Sequence, residues 1–146
     1  GIYGMIGGQV VDVASCGVGL DEGMLNFIYE LKTGALIESS MMIGALLAGA
    51  EDAELEKVQK IASDVGIAFQ IQDDILDVTS TTEELGKPVH SDEKNEKTTY
   101  VTLKGLEKAT RDVEVISQEA LELLSGLDRE NAYLTQLIRE LIHRKK

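Results

Sequence analysis

Nine residues, Phe69 to Asp77, read Phe-Gln-Ile-Gln-Asp-Asp-Ile-Leu-Asp and set three carboxylates into an otherwise apolar helical run. At about 100° per residue, Asp77 falls about 40° round a helix from Asp73, Gln70 about 60° and Gly66 about 20°, so the four share one stripe. Two like charges on one stripe cost a helix roughly a few tenths of a kcal/mol. The neighbours Ala68, Phe69, Ile71, Ile75, Leu76 and Val78 are apolar, which favours a largely buried helix over a solvated acidic face. A hard divalent cation offsets such repulsion. Carboxylate oxygens suit Mg²⁺, which takes one or two protein carboxylates, keeps several waters and is completed by substrate phosphates.

The rest of the chain is consistent with one globular, mostly helical unit. It is 43% hydrophobic and 27% charged, with a single Pro and few aromatics, a composition suited to helices packed round a core. With 14 basic against 26 acidic residues, the net charge of −12 argues against nucleic acid or an anionic membrane surface as a partner. No apolar run reaches the length of a membrane span, and the start lacks a basic leader region. The lone Cys16 cannot form an internal disulfide and suits a reducing cytoplasm. Gly1-Ile2-Tyr3-Gly4-Met5 runs straight into helical spacing without a capping residue, so residues are expected to precede Gly1.

In chain order, Tyr3, Ile6, Val10 and Val13 recur at helical spacing, with Gln9 and Asp12 three apart on one face. Asp21 is placed to cap a second helix. Lys32-Thr33-Gly34 interrupts that helix, since Gly costs about 1 kcal/mol in a helix interior relative to Ala and Thr can turn its hydroxyl onto the backbone. A kink that frees a carbonyl is expected there. Ser39, Ser40, Gly44, Ala45, Ala48 and Gly49 imply a helix buried on several sides. The aspartate helix should open at Glu51 and Asp52 and run to about Val78. A polar loop with Pro88 then carries Lys87, Asp92, Lys94 and Lys97, and three helical segments follow: Thr99 to Leu103, Leu106 to Leu124, and Asp128 to Lys146.

Carboxylates, a lysine at a helix break and loop lysines are together what a diphosphate requires. As a carbon–diphosphate bond breaks, metal and ammonium groups stabilise the departing charge. A Thr33 carbonyl and the Gln70 side chain can stabilise the carbocation left behind without attacking it, while apolar walls exclude water.

Gly7-Gly8-Gln9-x-x-Asp12, Lys32-Thr33-Gly34, Phe69 to Asp77, and Gly86-Lys87 with Asp92, Lys97, Thr99 and Tyr100 resemble, in that order and spacing, the second half of the trans-isoprenyl diphosphate synthases. Farnesyl and geranylgeranyl diphosphate synthases of the bacterial type are the closest in pattern. The resemblance implies an all-α antiparallel bundle and a homodimer that joins an allylic diphosphate to isopentenyl diphosphate with Mg²⁺. It implies that Asp73 holds the metal against the allylic diphosphate, supported by Asp74 and Asp77. Lys32 and Lys87 would bind that diphosphate, Lys97 would lie near it, Gln9 and Asp12 would border the metal cluster, and Thr33 and Gln70 would face the cation. Arg144-Lys145-Lys146 is similar to the family's basic C-terminus, which closes over isopentenyl diphosphate.

The family's first aspartate-rich motif and its upstream basic residues are not in this sequence, so residues 1–146 correspond to the C-terminal half of one synthase domain. His90 stands where relatives often have Gly. Two other functions fit fewer features: a non-catalytic fragment or partner-binding subunit, and a terpene cyclase, which lacks the Lys-Thr-Gly and loop-lysine pattern.

Overall fold

A computed structural model describes residues 1–82, 89–94 and 96–144. Among the described residues the α-helices are α1 (Met5–Ala14), α2 (Glu22–Tyr29), α3 (Ala35–Leu47), α4 (Asp52–Thr79), α5 (Ser91–Lys94), α6 (Tyr100–Lys104), α7 (Leu106–Ser125) and α8 (Ala132–Ile142). Among the described residues there is no strand, and no helix is long and apolar enough to cross a membrane. The molecule is an all-α bundle.

The central rod is α4. Its start is fixed reciprocally: the Glu51 side chain accepts from the Glu54 backbone, and the Glu54 carboxylate accepts from the Glu51 N–H at 3.3 Å. Acidic residues in this first turn also complement the helix dipole. Val58, Ile61, Val65, Ala68, Ile71 and Ile75 recur at three- and four-residue steps and are all buried, the pattern of a helix covered along one wide face. From Ile61 onward they form one core with Leu25 and Ile28 of α2, Val113, Ala120 and Leu124 of α7, and Ile138 and Ile142 of α8.

Three glycines let the backbones near the site approach one another. Gly66 of α4 faces Gly34, and a Cβ on Gly66 would lie 2.8 Å from the Gly34 Cα; one on Gly8 of α1 would lie 2.6 Å from the Lys32 N. Between them, α1 and α4 clamp the segment that carries Lys32. Gly66→Ala is therefore expected to destabilise the chain by about 1–3 kcal/mol through overpacking. Gly44 of α3 has no atom within 4 Å of such a Cβ, so Gly44→Ala should instead raise stability by up to about 1 kcal/mol through helix propensity. Thermal melts of the two variants should move in opposite directions.

The structure departs from the sequence expectations in several places. Lys32-Thr33-Gly34 does not break the helix: Glu30–Gly34 is a π-helical turn that joins α2 to α3. None of the residues of α3 is buried, against the expected burial on several sides. Leu36, Ile43, Leu46 and Leu47 are exposed, Leu47 to 85%, as are Tyr3, Ile6, Val10 and Val13 before and along α1, Tyr3 to 92%. Periodicity identifies which side chains share a face, whereas burial depends on what lies opposite, and among the described residues the main neighbours of α3 are α4 and the adjoining π-helical turn. The last helix starts at Ala132 rather than Asp128, where the Asn131 side chain accepts from the Leu134 N–H at 2.9 Å.

Candidate active site

The π-helical turn puts Lys32 on the side of its helix that faces both α1 and α4. Its ammonium donates to Asp12 Oδ2 of α1 at 2.7 Å. Lys97, just ahead of α6, donates to both oxygens of the same carboxylate at 3.0 Å. Burial alone would raise the pKa of Asp12, but the hydrogen bonds and charges of Lys32 and Lys97 outweigh it and hold the carboxyl below its ordinary value. Lys97 is held above its ordinary value because the Asp12 contact outweighs its own burial. Asp12, expected to border a metal cluster, is the anion that brings two ammonium groups together.

The three aspartates of α4 have three different surroundings. Asp73 has a side chain 39% exposed and opens onto a hollow of about 70 Å³ that is also lined by Asp12, Lys32, Gln70, Asp92 and Lys97. Asp74 is buried, and its Oδ2 accepts from the Tyr29 hydroxyl and from the Tyr100 N–H, the latter at 2.7 Å. Burial pushes Asp74 up to about 7, with the Asp92 and Asp73 charges adding to it and the Tyr29 and Tyr100 bonds opposing it. Burial, with the Asp74 charge, also pushes the Tyr29 phenol upward. Asp77 is turned away from the hollow. Its Oδ1 accepts from the Ser91 N–H at 3.2 Å and the Ser91 hydroxyl at 3.3 Å, and its Oδ2 from the Asp92 N–H at 3.3 Å, so it caps α5. The shared stripe read from the sequence thus divides, with Gly66 against Gly34, Asp73 and Gln70 on the hollow, and Asp77 under α5.

Gln9 and Thr33 are half-buried and are not among the residues lining the hollow. Arg144 reaches Asp73 Oδ1 at 3.1 Å. Lys87 lies outside the described residues, as do Gly86, Pro88, Lys145 and Lys146. Tyr29 gave no functional signal in the sequence. Tyr29 ties α2, α4 and α6 together through its hydroxyl, which also accepts from the Tyr100 N–H at 3.2 Å. The only sequence cue to this role is a polar aromatic on a buried helix face three residues before Lys32.

Chemically, the hollow sets the partly exposed Asp73 carboxylate and the Gln70 amide, with Asp12, Asp74 and Asp92 also in its lining, against two ammonium groups. Its volume holds a hydrated ion or a few waters but falls well short of the roughly 300 Å³ and upward of ligand pockets, so it can take a head group and not a hydrocarbon chain. Among the described residues no group of three or more His, Cys, Asp or Glu side chains is spaced to enclose a metal ion. An open position with one or two carboxylate oxygens remains, which is how Mg²⁺ is commonly held when phosphates complete its shell. A larger apolar groove between α3, α4, α7 and the start of α8 shares none of the lining residues of the hollow.

The chain is 43% identical over 134 residues to the chloroplastic geranylgeranyl pyrophosphate synthase of Catharanthus roseus, covering 90% of this chain and 37% of that protein. It is 44% identical over 131 residues to the large subunit 1 of the heterodimeric geranylgeranyl pyrophosphate synthase of Arabidopsis thaliana, covering 88% and 35% respectively. The crystal structure of a Helicobacter pylori geranyltransferase complexed with magnesium and isoprenyl diphosphate superposes with a TM-score of 0.80 at 35% identity, covering 97% of this chain and 46% of that one. The chain therefore spans less than half the length of these relatives. Residues 1–140 match the polyprenyl synthetase family, and the chain belongs to that family.

Proposed function

We propose that residues 1–146 form the C-terminal half of a single polyprenyl synthase domain, and that the whole protein is a short-chain prenyltransferase. It joins an allylic diphosphate to isopentenyl diphosphate and releases farnesyl or geranylgeranyl diphosphate. The observation that carries this reading is the meeting of Asp73, Lys32 and Lys97 on one hollow, with Asp12 holding the two lysines side by side.

Asp73 would hold Mg²⁺, which would supply positive charge favouring departure of diphosphate. The chain's own residues do the rest. Lys32 and Lys97 bind diphosphate oxygens, and their link to Asp12 presets their separation before substrate arrives, so little reorganisation is needed at the moment of reaction. Gln70, three residues before Asp73, presents its amide oxygen to the developing carbocation, and Thr33 lies on the adjoining π-helical turn. Asp74 and Asp77 act at one remove, anchoring α6 and α5 and so the segment that bears Lys97. Lys87, Gln9 and Arg144 are assigned to substrate binding with them. The homodimer and the cytoplasmic setting belong to the same reading, although the plant relatives above are named chloroplastic.

Incubating the full-length protein with allylic and isopentenyl diphosphates and Mg²⁺ tests this proposal. A product one isoprene unit longer at each step is the expected result, and no elongation under saturating substrates rejects it. The open apolar faces of α1 and α3 favour one second reading, a partner-binding fragment that does not itself catalyse. Intact mass compared with the coding length separates a cut product from a short gene.

A further inference from the structure

His143 and Arg144, which follow α8, bring the chain back to the site. The His143 N–H closes α8 on the Arg139 carbonyl at 3.0 Å, and Arg144 then lies along α4. Its Nη2 donates to Asp73 Oδ1 at 3.1 Å and to the Phe69 carbonyl at 3.4 Å. Its guanidinium carbon sits 3.8 Å from the centroid of the Phe69 ring, and its side chain is only 19% exposed. One α4 turn thus supplies both a ring face and a carboxylate to the same cation. A planar guanidinium satisfies both at once, as an ammonium cannot.

The carboxylate that Arg144 engages lines the hollow and, of the three on α4, is the one that is not buried. Resting on the reading of Asp73 as the metal-binding carboxylate, we propose that Arg144 is a resident stand-in cation: it neutralises Asp73 when no divalent ion is bound, and metal and Arg144 compete for that side chain. An ion held about 2.1 Å from an Asp73 oxygen would stand within a few ångströms of the guanidinium, where like charges repel strongly in a partly buried setting. The contact is also built to be displaced. Arg144 Nε is buried without a hydrogen-bond partner among the described residues, so release to solvent restores a bond that docking withholds. By linkage, the factor by which the docked arginine weakens metal binding equals the factor by which metal weakens docking. Metal entry therefore frees the C-terminal segment from α4 at the moment the site is loaded.

The test is Mn²⁺ affinity, read by electron paramagnetic resonance of the free ion, with amide exchange in residues 138–142 as a second readout. Arg144→Gln is expected to bind Mn²⁺ about tenfold more tightly than the unaltered chain, within the usual range of site-to-site coupling. Phe69→Leu, which removes the ring face but keeps an apolar side chain, should fall between them. Mg²⁺ should speed exchange in residues 138–142 of the unaltered chain and leave Arg144→Gln unchanged. Equal or weaker Mn²⁺ binding by Arg144→Gln overturns the competition. Asp73→Asn separates the two readings. If it abolishes Mn²⁺ binding while Arg144→Gln behaves like the unaltered chain, only the role of Arg144 fails; if it leaves binding untouched, the metal assignment fails and the competition with it.

Discussion

Asp73→Asn in the full-length protein is expected to lower the kcat of the proposed condensation by about two to three orders of magnitude, comparable to removing one electrostatic contact to a transition state, and to leave the melting temperature almost unchanged. The reasoning rests on the different duties of three neighbouring carboxylates. Asp73 is partly exposed and its protein partner includes Arg144; ion pairs of this kind contribute about 0–1 kcal/mol, and losing the charge also relieves repulsion from Asp74 and Asp77. The amide is nearly isosteric, so the hollow keeps its shape while the hard anionic oxygen is lost. Asp77→Asn should behave differently. Its oxygens cap α5, and weakening a cap costs about 1 kcal/mol, so stability falls while activity falls only as far as α5 moves. Steady-state kinetics and melts on both variants decide the matter. Full turnover by Asp73→Asn, or an unfolded Asp73→Asn, would remove Asp73 from the reacting centre.

What the sequence disclosed follows from the range of each physical signal. The limits of α4 were legible because Glu51, Asp52 and Glu54 act within one turn and because the apolar spacing of Val58 to Ile75 is local. The carboxylate–lysine chemistry was legible because residue types constrain it directly. The division of labour among Asp73, Asp74 and Asp77 was not, since it depends on donors supplied by Tyr29, Ser91 and Tyr100 from other elements. The pairing of Asp12 with Lys32 and Lys97 was hidden for the same reason: partners separated by 20 and 85 residues leave no periodic trace. The open face of α3 was read as buried because a run of small and apolar residues records that something covers it, without recording which chain segment does so.

The largest effect on stability should come from pH, through Asp74. Its pKa is about 7 in the folded chain against an ordinary 3.8, with burial as the first cause. Between those values the folded state holds a proton that the unfolded state has lost, so stability falls as pH rises through that window, by a total on the order of 4 kcal/mol for a shift of about three units. Asp12 acts with the opposite sign and elsewhere. Its pKa is lowered by Lys32 and Lys97 against its burial, so its contribution is present above about pH 4 and is lost only as pH falls further. The net charge of −12 adds general repulsion as the acids ionise, which makes a second variant necessary. Asp74→Asn keeps a carbonyl oxygen to accept from the Tyr29 hydroxyl and the Tyr100 N–H but has no proton to lose in this range. Any fixed cost of its amide shifts all its values equally and leaves the slope untouched. Urea midpoints measured at pH 4.5, 6 and 7.5 should therefore fall steeply for the unaltered chain and much less for Asp74→Asn. Parallel lines for the two would mean that the buried carboxyl is ionised throughout and that its proton does not hold the core together.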